Sequence, residues 1–172
     1  GPTAPKIKFT HLAEVPLKVD VLKFLKDAAA LTDHVFFLFH PNALILGAFG
    51  ETDNTHMKIT RDQMMRYTAP STIINAYALH YLAQILNKVK AKNVTFETAD
   101  SYPLMVTWEV LSGLVLKTML APRIMEVQPG EAARFETERD QLLVMEGMAK
   151  EKVPVQPKVE VPPITRPEVP VE

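Results

Sequence analysis

"LKTMLAPRI", residues 116–124, reads as a β-strand that stops at Ala121-Pro122 and gives way to a polar, proline-rich stretch. Proline has no N–H to offer a ladder, so a strand ends where it appears. Just upstream, "PLMVTWEV" (103–110) and "LVLKTMLA" (114–121) form a strand pair turned by Ser112-Gly113. What precedes and follows this pair decides the architecture.

Working back toward the N-terminus, the apolar period switches between 2 and 3.6 in a regular order. "AEVPL" (13–17) reads as a strand and "KVDVLKFLKDAAALT" (18–32) as a helix. "HVFFLFH" (34–40), "ALILGAF" (43–49) and "THMKIT" (55–60) read as three strands, turned at Pro41-Asn42 and at Glu51-Thr52-Asp53-Asn54. The same order then returns. "STIINAY" (71–77) is a strand, and "ALHYLAQILNKVKAKN" (78–93) is a helix ending in lysines, which suit its negative C-terminus. "VTFETAD" (94–100) and the pair above complete it. The chain is βαβββ twice, about 55 residues per unit, which predicts an α+β domain of antiparallel sheets with two helices.

Composition sets the outer limits. The 172 residues carry a net charge of −1 and no cysteine, which excludes disulfides and thiolate metal sites. No apolar run approaches the roughly 20 residues that span a bilayer, so no membrane partner is expected. Residues 1–10 open with a tag remnant (Gly1-Pro2), and 11–127 read as the domain. Residues 128–172 hold seven of the fourteen prolines and six basic against nine acidic residues. Of these, 128–152 read as a short helix through Phe135, Leu142 and Leu143 or a charged spacer. Residues 153–172, with proline every few positions, read as a disordered extended tail.

Helical spacing puts Val21, Phe24, Leu25 and Ala28 on one side of the first helix, with Lys23 and Lys26 opposite and Asp27 at the edge. In the second, Leu79, Leu82, Leu86 and Val89 form the buried stripe. His80, Gln84, Asn87 and Lys88 lie opposite, and Lys90 and Lys92 follow at the frayed end. Such faces are either solvated surfaces or phosphate-facing ones. Lysine suits the second role as a mobile point charge without bidentate base readout, so any DNA contact is expected to be sequence-independent.

Chemistry-bearing sets are sparse. The histidines are His11, His34, His40, His56 and His80, and the "GETDNTH" turn lacks the order of a calcium loop. None of the three serines sits in a nucleophile elbow, and no glycine-rich phosphate loop appears. The residues therefore point away from an enzyme and require no cofactor. A small metal-dependent enzyme using His34, His40, Asp53 and His56 stands as the rival from another class.

The repeated order, the helix "YALHYLAQIL" (77–86), "DSYPLMVTWEV" (100–110) and the closing "LVLKTMLAPRI" (114–124) together resemble one family. It is the DNA sliding clamp, or proliferating cell nuclear antigen (PCNA), in its archaeal-type C-terminal domain, over roughly residues 3–127. "APKIKF" (4–9) looks like the end of the linker between that family's two domains. The resemblance implies sheets outside, two helices on the inner face, and a ring that encircles duplex DNA and tethers replication and repair enzymes. It implies DNA-facing Lys23, Lys26, His80, Lys88 and Lys90. It also implies a pocket of Ile7, Pro103, Met119, Leu120, Ala121 and Pro122 for peptides with a Gln and paired aromatics. The partners implied are duplex DNA, DNA polymerase, flap nuclease, ligase, the clamp loader and other clamp subunits in a trimeric ring. The setting implied is intracellular, archaeal cytoplasm or a eukaryotic nucleus. A clamp-derived regulator that binds partners or subunits without encircling DNA is the second clamp-like reading.

Overall fold

A computed structural model describes residues 8–17, 20–123 and 129–145. The chain divides into two units, Gly1–Ile124 and Met125–Glu172. Within the described part of the second unit, α3 spans Pro129–Met145, with an i,i+4 pair between Arg134 and Glu138 (3.1 Å). The expectations for Ile7 and for residues 153–172 lie outside the described residues.

In the first unit the elements run β1 (His11–Pro16), α1 (Val21–Ala29), β2 (His34–His40), β3 (Ala43–Phe49) and β4 (Asn54–Thr60). Then follow β5 (Arg66–Thr68), β6 (Ile73–Ala78), α2 (Leu79–Asn87), β7 (Asn93–Thr98), β8 (Leu104–Leu111) and β9 (Leu114–Leu120). This is the twice-repeated βαβββ order with one short strand inserted between the units. Two antiparallel sheets result, β5-β1-β7-β8-β9 and β4-β3-β2-β6. The repeats exchange their first strands. β1 joins the three-strand meander of the second repeat, and β6 joins that of the first. Neither repeat can close its own sheet, so the two halves fold as one body.

Strand alternation feeds a single core. Ala13 and Val15 of β1, Phe37 and Phe39 of β2, Leu44 and Leu46 of β3, Val94 and Phe96 of β7, and Leu104 and Val106 of β8 all enter it at every second position. From the helices come Val21, Phe24, Leu25 and Ala28 of α1 and Leu79, Leu82 and Leu86 of α2. The two helices pack side by side, α1 against β2 and β4 and α2 against β2 and β6. Removing one such buried leucine to Ala costs about 2–5 kcal/mol.

β5 is absent from the periodicity because three residues are too few to show a period. A 3-10 turn at Arg61–Gln63, capped by the Gln63 side chain on the Thr60 N–H (3.0 Å), delivers it. β5 is then pinned to β1 by its ladder and by the Arg66–Glu14 ion pair at 2.7 Å. Tyr67 donates its hydroxyl toward the carbonyls of His40 (2.7 Å) and Ala43 (2.8 Å), tying β5 to the β2–β3 turn.

The second helix is shorter than its spacing predicts. α2 ends at Asn87, with Lys88 as its C-cap. The cause lies downstream. Leu17 donates its N–H to the Lys92 carbonyl (2.8 Å) and Asn93 pairs with Pro16, so the chain must already be extended by residue 92. Val89 is β-branched and adds little to hold the helix against that pull.

Candidate nucleic-acid and peptide surfaces

On α1 the apolar stripe faces the core and leaves Lys23, Lys26 and Asp27 exposed. Lys23 Nζ donates to Asp27 Oδ2 at 3.0 Å, one turn along. That hydrogen bond, with the carboxylate's charge, raises the Lys23 pKa. The same contact offsets part of the positive charge the face presents. Lys26, three residues on, has no ion-pair partner among the described residues. On α2, His80, Gln84, Asn87 and Lys88 are exposed, and Tyr81 stands 67% exposed beside them. Lys23, Lys26, His80 and Lys88 thus sit on the outward sides of two helices packed together. Lys90 does not share the helical face. Because α2 stops at Asn87, Lys90 belongs to the α2–β7 loop and lines a cleft toward the β8–β9 hairpin.

At the end of the domain, β9 pairs with β8 so that Met119 lies opposite Met105 and Leu120 opposite Leu104. Extending this antiparallel register places Pro103 beside Ala121. Met119 (43% exposed) and Ala121 share the outward side, with half-buried Met105 across from Met119. Leu120, at the intervening position, turns inward and is part of the core, so it supports this surface from beneath. Met105, which the sequence reading did not name, joins this surface opposite Met119. The pairing register would have supplied it. Proline at 122 ends the ladder, yet the chain does not leave the domain there. Arg123 donates its N–H to Ala76 of β6 at 2.7 Å, and its guanidinium lies 3.5 Å from Asp33. The last strand of one sheet is thereby tied to the edge of the other. Partial burial pushes the Asp33 carboxyl up. The hydrogen bond from His34 and the charge of Arg123 outweigh that, leaving it below the usual carboxylate value.

The turn that carries Pro103 is held by a buried network. Asn75 Nδ2 donates to Ala99 O (2.8 Å), and Asn75 Oδ1 accepts the Ser101 N–H (3.0 Å). Tyr77 donates to Tyr102 O (2.9 Å), and Thr98 Oγ1 donates to Pro103 O (3.0 Å). The signal in the sequence was Asn75 itself, a polar residue inside the apolar run of β6, which demands partners when buried.

The metal reading meets a geometric obstacle. His34 and His40 are the two ends of the seven-residue β2, so six extended steps, roughly 20 Å, separate them. His34 bonds to Asp33 and His40 accepts the Asn42 N–H. Among the described residues no group of three or more His, Cys, Asp or Glu converges on one point. His34, His40, Asp53 and His56 do not form a site. Among the described residues, too, no helix is long and apolar enough to cross a membrane.

No protein-family model matches the chain. Curated proteins do. It is 26% identical over 126 residues to the DNA polymerase sliding clamp of Methanococcoides burtonii, covering 72% of this chain and 50% of that protein. It is 30% identical over 124 residues to the DNA polymerase sliding clamp of Thermococcus fumicolans, covering 70% and 49%. Among solved structures, PCNA from Thermococcus kodakaraensis aligns with a TM-score of 0.63 at 21% identity, over 72% of this chain and 51% of that one. A. fulgidus PCNA, bound to the C-terminal region of FEN-1, aligns with a TM-score of 0.63 at 18% identity, over 73% and 51%. The chain spans about half the length of the curated relatives it matches.

Proposed function

We propose that this chain, a homologue of the archaeal DNA polymerase sliding clamps that carries their fold, supplies a clamp domain to a ring around duplex DNA. It acts there as a processivity element, without catalysis of its own. The observation that carries this reading is the strand-exchanged pair of βαβββ repeats, which sets both helices side by side and leaves Lys26 and Lys88 on their outward sides. Mobile point charges of that kind attract phosphates evenly along a duplex, so a closed ring slides without being held at any sequence. Both sheets end in strands with a neighbour on one side only, β9 in one and β4 in the other. Such edges can join a ring partner by continuing the ladder. DNA polymerase, flap nuclease, ligase and clamp loader would dock through Gln-and-aromatic peptides on the surface of Pro103, Met105, Met119, Ala121 and Pro122. The setting of this work is DNA-associated and intracellular.

The test is topological. The full chain, mixed with nicked circular duplex, is recovered on the DNA through a salt wash and then challenged by linearisation. Release on linearisation is the expected result. Retention that linearisation leaves unchanged overturns encirclement. Binding of the Gln-and-aromatic peptide without any retention on circles selects the regulator reading instead.

A further inference from the structure

We propose that the cleft between the α2–β7 loop and the β8–β9 hairpin is a docking site for a short acidic peptide that adds as a strand against β8. The cleft encloses about 590 Å³, within the size range of ligand pockets. It exists because the β7–β8 ladder begins only at Thr95↔Thr107, while β8 runs on to Leu111 with β9 at its other side. From Trp108 onward β8 therefore has a neighbour on one side and none on the other. Backbone N–H and C=O groups along that side are available for strand addition.

The charges around this open edge choose the occupant. Lys90 and Lys92 line the cleft, and neither has an ion-pair partner among the described residues. Of the two carboxylates in the wall, one is paired with a cation and the other is held by a neutral backbone donor. Glu14 holds Arg66 at 2.7 Å, and Glu109 accepts the Gly113 N–H at 3.1 Å. Trp108, half-buried against the core, supplies apolar surface for an aliphatic side chain. A peptide that alternates carboxylates with aliphatic residues sets its carboxylates on the lysines and its main chain on β8. A nucleotide uses the lysines but leaves the strand edge without a partner.

Trp108 is the single tryptophan of the chain, so its emission reports on the cleft directly. The experiment titrates the full chain with the probe acetyl-Glu-Val-Glu-Ile-Asp-Val-amide. A saturable change in Trp108 fluorescence is expected. Lys90→Glu with Lys92→Glu, both exposed positions, should weaken it by about tenfold or more. The same probe with N-methyl groups on alternate amides should bind worse, since it cannot complete the ladder. No change with the probe at millimolar concentration overturns the proposal, as does equal binding by the double variant. A saturable response to ATP instead of the probe makes the site a nucleotide site and also overturns it. A Gln-and-aromatic peptide is expected to leave Trp108 emission unchanged, so this outcome and that of the ring experiment are separable.

Discussion

Asn75, on β6 of one sheet, accepts the backbone N–H of Ser101 at 3.0 Å, in the turn that joins β7 to β8 of the other. Ser101 is the one described non-glycine residue at positive φ, +60°, a conformation that costs a residue with a Cβ roughly 1–2 kcal/mol. The hydrogen bond to Asn75 offsets that cost and fixes the turn two residues before Pro103. Asn75→Leu should therefore destabilise the fold by about 1–3 kcal/mol, because the Ser101 N–H and the Ala99 carbonyl lose a buried partner. Urea denaturation measures the loss, and amide shifts near Pro103 should move with it. An unchanged midpoint would remove the network from any role in holding the turn.

Tyr77 gives the same network a pH signature. Burial is the main cause that pushes its phenol up to about 12, against hydrogen bonds to Thr98 and Asn75 that act the other way. A raised folded-state pKa means the folded chain keeps its proton after the unfolded chain has lost it. The stabilisation is complete below the unfolded value of about 10 and falls as pH rises through 12. Its size is on the order of 2–3 kcal/mol. Tyr67, raised by burial in the same direction, adds to the alkaline decline. Tyr77→Phe should flatten the loss of stability between about pH 10 and 12 relative to the parent chain. Denaturation midpoints across that window check it, and equal slopes would refute it.

The two α1 lysines should not contribute equally to duplex binding. Lys23 is tied to Asp27 at 3.0 Å, whereas Lys26 is unpartnered among the described residues. Lys26→Ala should lower the dependence of log K on log[salt] by about 0.9, one phosphate contact's worth, and Lys23→Ala by less. Asp27→Asn should strengthen binding by freeing Lys23. Affinity for a duplex measured across a salt series is the test. A larger effect at Lys23 than at Lys26 would count against the helix faces as the DNA surface.

The fold was legible because the repeats are long and their periods are clean. Phe37, Phe39, Leu44 and Leu46 alternate as strands require, and Val21, Phe24, Leu25 and Ala28 recur as a helix requires. What escaped was set by contacts distant in sequence. The early end of α2 follows from Asn93 having to meet Pro16, seventy-seven residues earlier, and no local pattern around Lys88 to Lys92 announces it. That is why Lys90 falls in a cleft and leaves the helix face. β5 is too short to show a period and is held by Glu14 and the 3-10 turn. Around the closing motif, Met119, Ala121 and Pro122 are neighbours in sequence, while Pro103 and Met105 come beside them only through the strand register. The family resemblance grouped Leu120 with Met119, whereas alternation along β9 turns it into the core.

That alternation separates two neighbouring substitutions. Met119 is exposed and Leu120 is buried in the core. Met119→Glu places a charge on the outward surface shared with Met105 and Ala121, where it meets solvent and disturbs little. Stability should stay within about 0.5 kcal/mol of the parent. A Gln-and-aromatic peptide, whose rings need an apolar seat there, should lose affinity by about tenfold or more, since desolvating an unpaired carboxylate is costly. Leu120→Ala should do the reverse, costing about 2–5 kcal/mol of stability through the cavity it leaves. Any peptide affinity it retains under folded conditions should stay close to that of the parent. Calorimetric titration alongside urea denaturation resolves the two effects. If Met119→Glu binds the peptide as well as the parent does, the peptide surface lies elsewhere on the domain.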